Sequence, residues 1–495
     1  MCTSFLSHLS GLVSLWCIVL RTSREYVEKL GRMRKNVFMN GKLVERDNPQ
    51  LLPSIRALSK TFDLTDNEEF KELITATSHL TGEEINRFTK VNRSADDLMK
   101  KQKMIRKACH LTGGCIQRCM GCDAINALSF ATYEVDKAFD TEYHKRFLRY
   151  LEQFQREDLT AAAAQTDVKG DRSLRPHEQK DPDLYVRIVE KRDDGIVVKG
   201  AKNHITMAAV ADEIICLPTR AMTEEDEDYA VAFAVPADSE NIKLITHVEN
   251  PRPRKLFKAP VADFGFADSF VVFDNLFVPQ ERVFMCREWP LAVLLAHGFA
   301  LYHRHSYTGC KPAITDIITG ASALVAEYQG IANKPHVRSK LAHLASVAEL
   351  VYSAGIASAV EGEHHDSGTF IPNTVYANVG RRHAGLSIYH ESEILTDLAG
   401  GLPATLPFEE DFASPQTKQY LEKYIKRKED ISSENIHLCF RLLSDLLCSA
   451  LSGVSAVAGV HGGGSPIMEE IAITATYDFE EKKKIARNLA GIKEG

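Results

Sequence analysis

The chain has 495 residues, 44% of them apolar and 26% charged, with a net charge of −7; that is enough chain for two or three globular domains and a large core. The charge is spread without a basic block, which excludes a general nucleic-acid platform, while local Lys and Arg leave room for a phosphate-bearing small ligand. The eleven cysteines are an odd number, and Cys109, Cys115, Cys119 and Cys122 crowd together, which points to metal or redox chemistry rather than a disulfide framework.

Residues 1–22 read as an extension without regular structure. Its apolar run FLSHLSGLVSLWCIVL (5–20) has no Lys or Arg before it and no small-residue cleavage site before Arg21. The run is also short for a membrane span and carries His8. Neither export nor membrane insertion is expected, and the expected location is the cytoplasm.

Residues 23–160 have the spacing of a helical domain, clearest in REYVEKLGRMRK and from Glu84 to Lys107. Thr65 with Glu68 and Thr81 with Glu84 fit capping boxes. The polar stretch QTDVKGDRSLRPHEQKDP (165–182) marks a boundary. Residues 161–287 form a β domain, with a strand-like period from 183 to about 285. There DLYVRIVEKRDDGIVVKGAK predicts a hairpin turning at Asp193–Gly195, and EIICLP, YAVAFAVPA, IKLITHV and SFVVFDNLFVP follow as strands. From 288 to 495 helices return, with long apolar patterns over 336–362 and 435–460. The fold class is α+β: helices, a β domain, then a helical bundle.

Two segments carry donor side chains. In GGCIQRCMGCDAINAL (113–128), Cys115 and Cys119 are four apart and share a face if the segment is helical. Cys122 completes a C-x3-C-x2-C spacing that also matches a radical-SAM motif, but no βα repeat follows it. In YHRHSYTGCKPA (302–313), His303, Tyr307, Cys310 and Lys311 fall at i, i+4, i+7 and i+8 and form one helical stripe. An imidazole, a phenol, a thiol and an amine make a poor core stripe and a good site. Cys115, Cys119, Cys310 and His303 together would suit a [4Fe–4S] cluster or a structural zinc, and spacing alone leaves both open. The glycine-rich turns AGGLPAT (399–405) and HGGGSP (461–466) allow close approach of backbone amides to phosphate. The chain has no Walker motif and no G-x-G-x-x-G after a strand.

At these motifs, and at GAKNHIT, VVFDNLFVPQERVF and AGGLPATLP, the chain resembles the 4-hydroxybutyryl-CoA dehydratase family, from about residue 23 to the C-terminus. That family lies within the wider 4-hydroxyphenylacetate 3-hydroxylase group. The resemblance implies an acyl-CoA-dehydrogenase-like fold, FAD, a [4Fe–4S] cluster, an acyl-CoA substrate and a homotetramer. It implies dehydration of 4-hydroxybutyryl-CoA to crotonyl-CoA and isomerisation of vinylacetyl-CoA; the alternative is a flavin-dependent phenol monooxygenase. On matching positions, Cys115, Cys119, His303 and Cys310 would be the cluster ligands. Gln117, Thr206, Tyr307 and Lys311 fall at other site positions, and Gly400 and Gly401 at a flavin-phosphate turn, reached from a neighbouring subunit. In a regular helix Gln117 would face away from the two cysteines. Two positions depart from the pattern: Asp268 stands where the family has glutamate, and Ala458 where it has a second glutamate three residues before the HGxGSP histidine. If both carboxylates serve as acid or base, dehydration is the step put in doubt.

Overall fold

A computed structural model describes residues 20–492. Most of the extension, residues 1–19, lies outside the described residues. Its last part is anchored: the Arg21 guanidinium grips the buried Asp212 carboxylate at 2.7 and 3.2 Å. Thr22 caps the helix Ser23–Arg32 in a reciprocal box with Glu25.

Two antiparallel-rich sheets form the middle of the molecule. The larger runs Lys42–Val44, Val37–Met39, Ile242–Glu249, Phe266–Pro279, Gly195–Thr206, Arg187–Arg192. Its first two strands come from the N-terminal segment, so the sheet edge and the N-terminal helices share one apolar core. The expected hairpin is present, with Arg192 opposite Gly195 across Asp193 and Asp194. In the centre, His247, Asp268 and Thr206 form one rung across three strands; neighbouring strands thus set the carboxyl beside a hydroxyl. The smaller sheet runs Val283–Cys286, Val231–Pro236, Glu213–Cys216, Ala161–Ala164.

Several local expectations give way. Glu84–Asn86 is a strand paired with Thr75–Thr77, and the helix that follows begins only at Ala95, capped by Ser94. Thr65 and Thr81 do not cap helices: Asn67 accepts the Glu69 amide instead, and Glu84 enters a strand. The helix Ala95–Thr112 stops at Gly113, which takes φ +70°, the left-handed stop that glycine permits. Residues 114–118 are loop, and the next helix is Cys119–Phe139. Cys115 and Cys119 therefore meet across a loop-to-helix junction, not along one helix. The pattern over 435–460 is two helices, Ser433–Cys448 and Ala450–His461, with Ser449 capping the second.

The helices Ala292–Tyr328, Pro335–Val360 and Thr374–Ala399 pack on one another, and the first two also pack on Ala95–Thr112. Pro335–Val360 is long and apolar enough to cross a membrane, but one face is buried against its neighbours. Pro312 sits inside the 37-residue helix and has no N–H for the Thr308 carbonyl. The Gln102 amide donates to that carbonyl instead, at 3.1 Å, and to Tyr352 O at 2.9 Å. At the same crossing, a Cβ on Gly309 would stand 2.5 Å from the Gln102 carbonyl oxygen.

Replacing Gly309 with alanine forces the two helices apart, and overpacking of this kind costs about 1–3 kcal/mol. Gly320→Ala, on the exposed face of the same helix with nothing near its Cβ, should be neutral or stabilise by up to about 1 kcal/mol. Chemical denaturation of the two variants tests both signs.

Candidate functional site

Three of the cysteine-bearing segments converge where the N-terminal helices meet the long helix Ala292–Tyr328. Cys109, Ile116, Cys119, Tyr307 and Cys310 belong to one buried cluster, separate from the two larger cores. None of the described cysteines is in a disulfide. Cys119 and Cys115 are hydrogen-bonded; this bond, with Cys119 as donor, holds the Cys115 thiol below its ordinary pKa and drives that of Cys119 up. The Gln117 amide also donates to Cys115 Sγ at 3.3 Å. Burial, then the charge of Cys115, pushes Cys310 up. Burial, then Cys310 and Cys115, does the same to Cys109. Cys122 belongs to the same buried cluster, but its thiol faces the carbonyls of Arg87 and Lys90, at 4.0 and 3.8 Å.

His303 reaches this cluster from the long helix. Donor atoms of His303, Cys119 and Asp123 all lie within 4.8 Å of one another. The ring stacks on Phe299, 5.6 Å between centroids, and its Nδ1 lies 3.0 Å from Asp123 Oδ2. The other Asp123 oxygen accepts from Lys101 Nζ at 2.9 Å and Ser306 Oγ at 2.8 Å. Lys101 and Asp123 are both fully buried. Burial alone would raise the Asp123 pKa; Lys101 and His303 together outweigh it and hold the carboxyl below its usual value. Sequence reasoning missed this pair, although Asp123 follows Cys119 by four residues on a helix and so shares its face.

One and two turns along, Tyr307 and Lys311 point into the C-terminal helices. The Tyr307 hydroxyl donates to Gly459 O at 2.5 Å beneath the Arg381 guanidinium, 4.2 Å from the ring centre. Lys311 donates to Glu391 at 2.5 Å, and burial lowers the amine's pKa despite that partner. The second Glu391 oxygen is buried without a partner. The glycine turn after His461 closes over this region: Arg304 Nε donates to Gly463 O at 2.9 Å and Arg381 donates to Val460 O at 2.7 Å. Ala458 lies in the last turn of the helix that precedes it, its carbonyl accepting the Gly462 amide at 2.6 Å.

The β domain supplies the opposite side. Asp268 is near enough to Cys115 to oppose its ionisation. Burial raises the pKa of Asp268, against the Thr206 hydroxyl and the charges of His204 and His247. His204, at φ +60°, feels both Asp268 and His461, so the sheet and the glycine turn face each other here. Gln117 is brought to the same place by a different route than a helix. At φ +65° its buried side chain accepts from Ser54 at 2.7 Å and donates to Gly265 O at 2.9 Å. It ties the cysteine loop to the strand that carries Asp268. Gly400 and Gly401 are not brought to the thiols within one chain. They end the helix Thr374–Ala399 nine residues beyond Glu391, about 14 Å along its axis, with open space at both Cβ positions.

The family models of the 4-hydroxyphenylacetate 3-hydroxylase N-terminal and C-terminal regions match residues 22–285 and 292–491. The chain is 38% identical over 490 residues to a 4-hydroxybutyryl-CoA dehydratase/vinylacetyl-CoA-Δ-isomerase of Clostridium aminobutyricum, covering 96% of this chain and all of that one. The oxygenase component of a 4-hydroxyphenylacetate 3-monooxygenase from Geobacillus is 25% identical, with 96% and 97% covered. Among solved structures, an oxygen-tolerant archaeal 4-hydroxybutyryl-CoA dehydratase from N. maritimus superposes with a TM-score of 0.92 at 36% identity, covering 96% of both chains. The oxygenase component of 4-hydroxyphenylacetate 3-monooxygenase complexed with FAD shares the fold, with a TM-score of 0.85 at 23% identity and 95% and 98% covered.

The Gln117 contacts predict a cost separate from any chemistry. Gln117→Ala strands a buried hydroxyl and a buried carbonyl, each group typically worth about 1–3 kcal/mol when left unpaired. Denaturant unfolding should show a loss in that range; an unchanged midpoint would mean that the tie is not structural.

Proposed function

Since the chain belongs to the 4-hydroxyphenylacetate 3-hydroxylase family and, within it, to the 4-hydroxybutyryl-CoA dehydratases, we propose that it converts 4-hydroxybutyryl-CoA to crotonyl-CoA and isomerises vinylacetyl-CoA. We propose FAD and a [4Fe–4S] cluster as its cofactors on an acyl-CoA-dehydrogenase-like scaffold. The observation that carries this reading is that Cys115, Cys119 and Cys310 lie close enough to perturb one another's thiols, with His303 within 4.8 Å of Cys119. A phenol monooxygenase has no use for that donor set.

The residues fit the cofactor chemistry. Soft thiols and an imidazole are the donors an iron–sulfur cluster takes, and three of them already perturb one another's ionisation. The flavin belongs on the Thr206 side, beside Asp268, with the Gly400–Gly401 turn of a neighbouring subunit at its phosphates. Exposed apolar side chains on the outer helices, Leu350, Tyr376, Val379, Leu386 and Tyr389, suit contact with further copies of the chain, which we read as a homotetramer. A thiol-ligated centre also suits the reducing cytoplasm.

When bound, the flavin supplies one-electron chemistry and the cluster a Lewis acid. The chain's own groups move the protons. The thioester acidifies the α-proton, and His303 would serve as the base for it only when its Nε2 is not held as a ligand, since its Nδ1 faces Asp123. Asp268, whose burial favours its neutral form, can hold a proton for the leaving hydroxide. To polarise the thioester or protonate the leaving group, Lys311 and Tyr307 would have to release Glu391 and Gly459, to which they are bound.

The alanine at 458 sets the balance of the two activities. Isomerisation moves a proton between carbons, whereas dehydration also expels hydroxide and needs a second base at an unactivated carbon. A catalytic carboxylate typically contributes about a hundred- to ten-thousand-fold, so vinylacetyl-CoA isomerisation should exceed dehydration by a wide margin. Assaying both CoA esters on one anaerobic preparation tests this. Ala458→Glu should raise dehydration selectively; brisk wild-type dehydration that the added glutamate leaves unchanged would remove the role given to this position.

A further inference from the structure

We infer that Asp123 is the positioning residue that fixes which nitrogen of His303 is left with a lone pair for a metal, and that Lys101 locks Asp123 into doing so. The inference rests on the cluster reading above and adds two residues to it.

The geometry leaves little freedom. Asp123 Oδ1 takes two donors, Lys101 Nζ at 2.9 Å and Ser306 Oγ at 2.8 Å. Oδ2 faces His303 Nδ1 at 3.0 Å. Beside a fully buried ammonium the carboxylate is ionised and can only accept, so Nδ1 carries the proton and Nε2 keeps its lone pair for a metal. Asp123 is itself within reach of a metal held by Cys119 and His303. Both of its oxygens, however, are already engaged by donors from three residues, which leaves the imidazole as the ligand.

The isosteric change Asp123→Asn gives a specific consequence. The amide oxygen must face the Lys101 ammonium, because the NH2 group cannot. The NH2 group then meets His303 and can be satisfied only if Nδ1 accepts. The ring is driven into the opposite tautomer, with its proton on Nε2, where a ligand lone pair is needed. Removing the ammonium as well, with Lys101→Met, frees the amide to rotate and offer its oxygen to Nδ1, while Ser306 can accept from the NH2 group.

The test uses anaerobically purified, reduced holoenzyme labelled with 15N-histidine. Pulsed EPR reads the histidine nitrogen coupling, and iron release to a chelator is timed. Asp123→Asn should lose the coupling and release iron about 10–100-fold faster, the usual effect of removing a partner behind a ligand. The double variant Lys101→Met with Asp123→Asn should recover the coupling, and Lys101→Met with Asp123→Leu, which offers no acceptor, should not. The two double variants contain no unpaired buried charge, so they decide the matter even if the single variant does not fold. Equal coupling in the two double variants overturns the inference. Iron loss in Asp123→Asn as complete as in Cys119→Ala also overturns it, because Asp123 would then be a ligand. Wild-type protein without iron would instead remove the cluster reading on which the inference stands.

Discussion

The site depends on one buried contact between helices distant in sequence. Lys101 comes from the helix Ala95–Thr112, Asp123 from Cys119–Phe139, and His303 with Ser306 from Ala292–Tyr328. A fully buried ion pair is a poor source of net stability, since desolvation consumes much of the attraction, but breaking it by removing one partner typically costs about 3–5 kcal/mol. Its effect is therefore to specify register. The long helix can dock with only one azimuth if the imidazole and the serine are both to reach the carboxylate. Gln102, next to Lys101, reinforces that register by taking the carbonyl that Pro312 leaves free. The same docking brings Cys310 to Cys115 and Cys119.

Around this contact the polar groups are graded by which element supplies them. The β domain offers a carboxyl biased toward its neutral form, Asp268, beside a hydroxyl. The bundle offers a lysine already neutralised by a carboxylate, and a tyrosine under a guanidinium. The glycine turn after His461 lies over the tyrosine and both buried arginines. A side chain is hardly tolerated there: a Cβ on Gly463 would meet Arg381 Nε at 2.7 Å.

The stripe His303, Tyr307, Cys310, Lys311 was legible because a 37-residue helix repeats its period without interruption. The cysteine loop was not. Its apolar spacing is helical, but Gly113 ends one helix and the positive φ of Gln117 bends the chain before the next begins. That bend is stabilised by Ser54 and Gly265, residues no local pattern connects to it. Glu84–Asn86 failed for a similar reason, since a pairing with Thr75–Thr77 overrode its helical spacing. Asp123 could have been picked out by its place on the Cys119 face. Lys101 and Glu391 could not, because only the packing of separate helices shows what they neutralise.

The central claim is that four side chains from two segments nearly two hundred residues apart hold one iron–sulfur cluster. Diffraction from anaerobically grown crystals, recorded on either side of the iron absorption edge, tests it most directly. The account predicts a single strong iron peak bounded by the sulfurs of Cys115, Cys119 and Cys310 and by Nε2 of His303. No iron signal at that junction, or a peak that responds to the zinc edge instead, would contradict it.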